Sequence, residues 1–489
     1  MTGERESKLL LIAILAASFL LHAAIFFSME PSGYHLYDTD TWYSIRQAER
    51  ISHGEDPRFD EMLNPPGGDI IEWGVMVPFL YSFFISPSDS PLDIFNKLAW
   101  LPPITVVIFS VAIYFLVGRL FSSETGSFAS ILVALSPGIF FQNGMYGILD
   151  HHLAESILLT IAILCILIFA KESRPRFLLV ATVCAAMMPF NSNTWGIYVA
   201  MILFCILMCL IIRYHRSWLH ITAIVLTGIS FGALSLLSGT KWISLWTGWH
   251  DPISEISCSD PLLLMARINV LVLPIAIVMA YLCYNRDARV IPLVILLIIM
   301  GIVTLRFSRF EYILMPFVCI VAAIGIGEII PRKQGNIIAA AFMAISIILC
   351  ASTIVSLSNF ERTNSDWPDA LEEIRAQDAG VVLAWWDYGH WISSIANQSP
   401  YADPFQNHVV ETAVIFTSDP VIGEKLVASR NVSHIMISDT DRNFYNAMVS
   451  YSKSTVGYNE SYLKYLIDSP PDNRKIYRKG IITVYDITQ

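Results

Sequence analysis

The chain has 489 residues, of which 55% are hydrophobic and 15% charged, with a mean hydropathy of +0.56 and a formal net charge of −10. A soluble domain of that composition would expose large apolar patches, so a purely soluble protein is excluded and burial in a bilayer is required.

Runs of about 20 apolar residues suffice to cross a bilayer core. Eleven candidates follow in chain order, near 9–28, 97–118, 126–142, 152–170, 177–190, 194–212, 218–238, 262–284, 290–305, 311–330 and 336–358. The first exceeds the usual length of a signal-peptide core and lacks a convincing cleavage site, so it is read as an anchor. Basic residues favour cytoplasmic loops. Arg5 and Lys8 place the N-terminus inside, and Arg119, the group Lys171, Arg174 and Arg176, the pairs Arg213 with Arg216 and Arg286 with Arg289, and Arg332 with Lys333 keep that parity through every span. The loops 29–96, 143–151, 239–261 and 306–310, and everything after 358, are then expected outside.

Beyond 358 the composition changes. Residues 361–489 carry 17 acidic against 11 basic residues and no apolar run long enough to span. "DWPDALEEIRAQ" predicts a helix with Pro in its first turn, "GVVLAW" and "VSHIMIS" predict buried strands, and "DPVIGEKLVASR" predicts a helix between them. That alternation predicts an α/β domain, closed by a hairpin at "IYRKGIITVYDI". Seven of the eight cysteines lie in apolar spans and only Cys258 in a loop, so no disulfide framework is expected. The expected organisation is a membrane domain over 1–358 with about 11–13 helices, and an extracytoplasmic domain over 359–489.

The outer loops gather acids and imidazoles. "GYHLYDTDTWYSIR" carries His35, Asp38 and Asp40; "GILDHHLAES" carries Asp150, His151, His152 and Glu155; "WHDPISEISCSD" carries His250, Asp251, Glu255 and Asp260. Ionisable groups at a membrane boundary are costly to desolvate, which points to a pairing, pathway or metal role. Asp and His at i and i+2 can reach one cation, and two Asp oxygens with one imidazole suit Mg2+ or Mn2+ better than zinc. The plainer alternative is that these are helix caps and solvated loop charges, with Asp150 capping the helix that begins at His151.

The residues resemble the single-subunit oligosaccharyltransferases of archaea and bacteria and the catalytic subunit of the eukaryotic complex, the archaeal branch most of all. "WWDYG" at 385–389 is the most specific element, "DTDTWYSIR" is similar to the first acidic motif, "LDHHLAE" to the second in its Asp-x-His form, and "PGGDIIEWG" at 66–74 to the first outer loop. The resemblance implies a multi-span α-helical bundle of the GT-C type followed by a C-terminal extracytoplasmic α/β domain. It implies asparagine-linked glycosylation, the en bloc transfer of a glycan from a dolichyl phosphate or diphosphate to Asn in Asn-x-Ser/Thr.

By the same resemblance Asp40, Asp150 and His152 hold Mn2+ or Mg2+, with Asp40 and Glu255 acting on the acceptor amide. Trp385, Trp386, Asp387, Glu255 and Met448 bind the acceptor sequon, and Arg309 with His152 meets the lipid phosphate, Arg306 being the competing arginine. Asp387 is expected to accept from the sequon hydroxyl beside two indole donors, with Gly389 allowing a close turn. The sequence departs from the family at Asn143, where an Arg is common, at Phe444, where a Lys is often seen, and at Pro252, which replaces a hydroxyl residue. The partners implied are a dolichyl-linked donor, acceptor polypeptides and membrane lipid, with no nucleic acid, for an enzyme working as a single subunit in the cell membrane. Two alternatives stand beside this reading: a related GT-C enzyme acting on a lipid or hydroxyl acceptor, and a multi-span transporter, whose coupling acids would lie near mid-membrane.

Overall fold

A computed structural model describes residues 2–28, 34–71, 74–191, 195–214, 260–284, 289–468 and 475–487. They fall into two compact units, one of Met1–Ser28 with Trp100–Val355, the other of Met29–Ala99 with Ser356–Gln489.

The first unit is helical. Among the described residues five stretches are long and apolar enough to cross a membrane: Pro91–Leu120, His152–Glu172, Pro261–Leu282, Ser308–Ile329 and Arg332–Thr363. The helix Glu311–Ile324 is buried on every side, which suits a segment apolar all round its circumference and places it at the centre of the bundle. That helix matters to the site because its N-terminal turn carries Tyr312, and 3₁₀ residues Ser308–Phe310 carry Arg309 just before it.

Two of the expected spans are broken. The 126–142 run forms the helix Ser123–Ala134 and then a separate short helix Ile139–Asn143. Pro137 and Gly138 end it, and Gly138 has a φ of 86°, open to glycine and strained for other residues. The 262–284 run divides into Pro261–Ile268 and Val272–Tyr284 around a 3₁₀ turn at Asn269–Leu271. The expected span at 218–238 lies outside the described residues.

The second unit holds a two-stranded ribbon, β1 (Phe59–Asp60) with β2 (Asp69–Ile70), and a five-stranded sheet. Its strands are β3 (Val381–Leu383), β4 (Ser399–Pro400), β5 (His434–Ser438), β6 (Lys475–Lys479) and β7 (Ile482–Asp486), ordered β4-β3-β5-β7-β6. β3 runs parallel to β4 and β5, β5 pairs antiparallel with β7, and β6 and β7 form the expected hairpin. The helices Trp367–Arg375 and Pro420–Ala428 lie where the sequence predicts them.

The segment 34–71 folds into this same unit. Glu361 accepts from the Leu36 N–H at 2.6 Å, and Arg46 binds Asp60 in a two-pronged pair at 2.8 Å while donating to the Ser393 carbonyl. Asp60 is 1% exposed, so this pair is a desolvated strut whose fixed fork geometry sets the register of the loop.

Candidate functional site

The chemistry-bearing residues of the first unit gather at the start of the helix His152–Glu172. Asp150 Oδ1 accepts from the His152 backbone N–H at 3.3 Å and lies 2.8 Å from Nδ1 of His151. Asp150 therefore does serve the helix start, as the capping alternative requires, while its other oxygen, Oδ2, lies 3.7 Å from His152 Nε2.

The tautomer of His152 follows from its partners. Its Nδ1 lies 3.2 Å from Glu155 Oε2, and its Nε2 lies 3.4 Å from Arg309 Nη2. A guanidinium only donates, so Nε2 accepts and the ring proton sits on Nδ1, donated to Glu155. Nε2 is then unprotonated, with Arg309 donating to it and Oδ2 of Asp150 3.7 Å away. Asp150, His151 and His152 each offer one ligand atom, all within 4.8 Å of one another, so the residues fit a metal ion on position and donor chemistry. His151 belongs to this group although the sequence gives it no role.

Arg309 and Arg306 are separated by the structure. Arg309 stands beside His152, whereas the Arg306 guanidinium lies 5.0 Å from the centroid of the Phe307 ring. The buried groups behind His152 were not legible beforehand: Tyr198 and Tyr312 both donate to Glu155, and the Tyr312 ring stacks on His152 at 4.6 Å.

In the second unit β3 leads directly into "WWDYG". Trp386–Tyr388 form a 3₁₀ turn and Gly389–Ser394 a short helix. β5, parallel to β3, leads into the 3₁₀ turn Asp439–Phe444 and the helix Tyr445–Ser452. Both segments thus leave the sheet at the carboxyl edge of parallel strands, where ligands bind in open α/β sheets.

The two segments are tied together. Tyr388 donates to Asp441 at 2.5 Å, Trp385 meets the Tyr451 ring at 6.1 Å, and burial together with the Asp387 charge pushes the Tyr451 phenol up to about 12. Trp385 and Met448 are buried, while Trp386 and Asp387 are half-buried. The Trp386 indole N–H has no hydrogen-bond partner among the described residues. Gly389 is helical rather than turned: a Cβ there would stand 2.8 Å from the Asp403 Cα, so the glycine permits a close approach of two backbones. Asp40 sits in the first turn of the helix Thr39–Ser52, which Asp38 caps by accepting from the Thr41 N–H at 3.0 Å. Glu255 lies outside the described residues.

A many-helix bundle joined to a C-terminal α/β unit is the GT-C type of membrane glycosyltransferase fold. Against the archaeal oligosaccharyltransferase AglB of Archaeoglobus fulgidus, solved with an inhibitory peptide and a dolichol-phosphate, the TM-score is 0.72 at 16% identity, over 94% of this chain and 78% of that one. An oligosaccharyltransferase of the same organism solved with Zn and sulfate gives 0.70 at 16% identity, over 95% and 79%. Residues 8–247 match the family model described as Oligosaccharyl transferase STT3, N-terminal.

Among curated relatives, the dolichyl-phosphooligosaccharide-protein glycotransferase 2 of A. fulgidus is 23% identical over 88% of this chain and 87% of its own length. Glycotransferase 3 of that organism is 30% identical over 121 residues, 24% of this chain and 14% of that protein. The matched segments of several such relatives span less than a quarter of their own length.

Proposed function

We propose that the protein transfers a glycan en bloc from a dolichyl phosphate or diphosphate carrier to the side-chain amide of Asn in Asn-x-Ser/Thr. The observation that carries this reading is the placement of "WWDYG" at the carboxyl edge of β3 and β5, with Asp387 half-buried and the Trp386 N–H without a hydrogen-bond partner among the described residues. An acceptor carboxylate beside an unused donor suits a hydroxyl, which both gives and takes a hydrogen bond. A site built on that pair discriminates against a residue lacking the hydroxyl, because its polar groups are then left unpaired.

The amide nitrogen is a poor nucleophile because its lone pair is delocalised. Asp40 and Glu255, assigned by motif resemblance, accept its N–H bonds and draw the nitrogen out of conjugation. The nitrogen then forms the bond to the anomeric carbon as the bond to the carrier phosphate breaks, and the amide proton is lost to a carboxylate. Arg309, held beside His152, gives the departing phosphate a fixed positive partner. Asp150 and His152 are the proposed holders of a divalent cation, with Asp40 added on the motif alone. When bound, such an ion supplies Lewis-acid stabilisation of the charge that develops on the leaving phosphate. Mn2+ or Mg2+ is the proposed identity, supported by the motif resemblance and by the hard carboxylate oxygens of Asp150 and Asp40. The basic-loop parity supports an N-terminus in the cytoplasm and a C-terminal domain outside.

The test is direct. Detergent-purified protein, a dolichyl-linked glycan and Mn2+ are incubated with a fluorescent Asn-x-Thr peptide, and a mobility shift is expected. EDTA should abolish it, and Mn2+ or Mg2+ should restore it more fully than Zn2+. An unshifted peptide together with a glycosylated lipid in the same reaction would replace this reading with that of a GT-C enzyme for a lipid acceptor.

A further inference from the structure

Glu155 has no exposed surface, and none of the proposed reaction steps uses it. It lies three residues after His152 on one helix, so both side chains share a face. Its Oε2 receives three donors: Nδ1 of His152 at 3.2 Å, the Tyr198 hydroxyl at 2.8 Å and the Tyr312 hydroxyl. Its Oε1 has no hydrogen bond among the described residues and faces Nε2 of His151 at 3.6 Å. One carboxylate thus backs both imidazoles of the Asp150–His151–His152 group.

Such a carboxylate is expensive to bury, and a purely structural role would be served as well by apolar groups in place of the carboxylate and both hydroxyls together. The arrangement does something an apolar residue cannot. By accepting a hydrogen bond from the Nδ1–H of His152 it keeps Nε2 unprotonated and raises the electron density available there. Tyr198 and Tyr312, whose hydroxyls lie 3.0 Å apart, fix the carboxylate from behind. The ring of Tyr312 also stacks on His152, and Ser156 donates to the Tyr312 carbonyl at 3.0 Å, so the helices that carry the two residues cannot slide without breaking the set.

We infer that Glu155 is a positioning residue that fixes the tautomer and orientation of His152 for a divalent cation, with Tyr198 and Tyr312 as its buttress. The inference rests on the metal reading proposed above. Outer carboxylates of this kind commonly govern metal affinity by about 10- to 100-fold.

The experiment is Mn2+ titration by calorimetry on the full chain in detergent, with the metal-free melting temperature measured in parallel. Wild type should bind saturably, and Asp150→Asn should lose binding. Glu155→Gln keeps one acceptor oxygen and should bind about 10-fold more weakly. Glu155→Leu keeps none and should bind about 100-fold more weakly, while the metal-free melting temperature of the Gln variant stays at the wild-type value. Wild-type affinity in Glu155→Gln overturns the inference even where the Leu variant fails to fold. Equal affinity in wild type and Asp150→Asn, or no binding by wild type, instead overturns the metal reading on which it stands.

Discussion

The hydroxyl of Tyr388 lies 2.5 Å from Oδ1 of Asp441, joining the fourth residue of "WWDYG" to the turn that follows β5. Asp441 is fully buried, and its other oxygen accepts from the Ser438 N–H at 2.9 Å. The pair fixes the spacing between two loops at the strand edge, so it sets where Asp387 and Trp386 stand without touching an acceptor itself.

Tyr388→Phe removes the donor and leaves a buried acceptor short of a partner. The expected cost is about 1–3 kcal/mol in chemical denaturation. Asp441→Asn should cost less when made on top of Tyr388→Phe than alone, because two changes to one contact do not add. Fully additive losses would show that the contact carries no energy.

Acidity at Asp441 gives a prediction with a definite sign. Burial pushes its carboxyl from an ordinary 3.8 up to about 7, against the opposing hydrogen bonds from Ser438 and Tyr388. The folded chain therefore holds a proton there that the unfolded chain releases near 3.8, and this contribution to stability is lost as pH rises from about 4 through 7. Burial also raises Asp403 to about 6, with the same sign. His390, pulled by burial from 6.5 to about 3, acts oppositely, and its contribution is lost as pH falls below 6.5. The difference between wild type and Asp441→Asn cancels the latter two. Wild type should lose stability relative to the variant by at most about 1.4 kcal/mol per pH unit across that window. Melting curves that run parallel from pH 4 to 8 would contradict the assignment.

The two arginines give a third contrast. With Arg309 beside His152 and Arg306 over Phe307, Arg309→Ala should raise the KM for the dolichyl-linked donor tenfold or more, since a charged contact is worth about 1.5–3 kcal/mol. Arg306→Ala should change it less than threefold. Equal effects would remove Arg309 from the phosphate.

Topology gives a fourth. A cysteine replacing Pro175 should resist a membrane-impermeant thiol reagent in intact cells, and one replacing the exposed Glu424 should react. Reversed labelling would put the proposed acceptor edge on the cytoplasmic side.

Much of this was legible in the chain. The apolar runs located the helices because length and hydropathy decide what spans a bilayer, and period and turn residues located β3, β5 and the hairpin. Where a run contained Pro137 and Gly138, hydropathy alone could not see the break, since backbone geometry and not polarity causes it. Asp150, His152 and "WWDYG" were visible as local clusters. Tyr198 and Tyr312 were not, because each reaches Glu155 from a helix distant in sequence and an apolar run with one tyrosine carries no sign of its hydroxyl's partner. His151 and Glu155 did carry a signal, the i and i+4 spacing on one helical face. The Tyr388–Asp441 bond depended on the parallel pairing of β3 with β5, which strand patterns do not specify.

The reading of the sequon hydroxyl is tested most directly by transfer efficiency to paired peptides, Asn-x-Thr against Asn-x-Ala, in wild type and in Asp387→Ala. Wild type should prefer the Thr peptide by about 5- to 150-fold, the worth of roughly 1–3 kcal/mol. In Asp387→Ala that preference should nearly vanish, because the variant has already lost the contact that the Ala peptide lacks. A preference that persists undiminished in Asp387→Ala would contradict recognition by "WWDYG" and leave it an aromatic seam within the C-terminal unit.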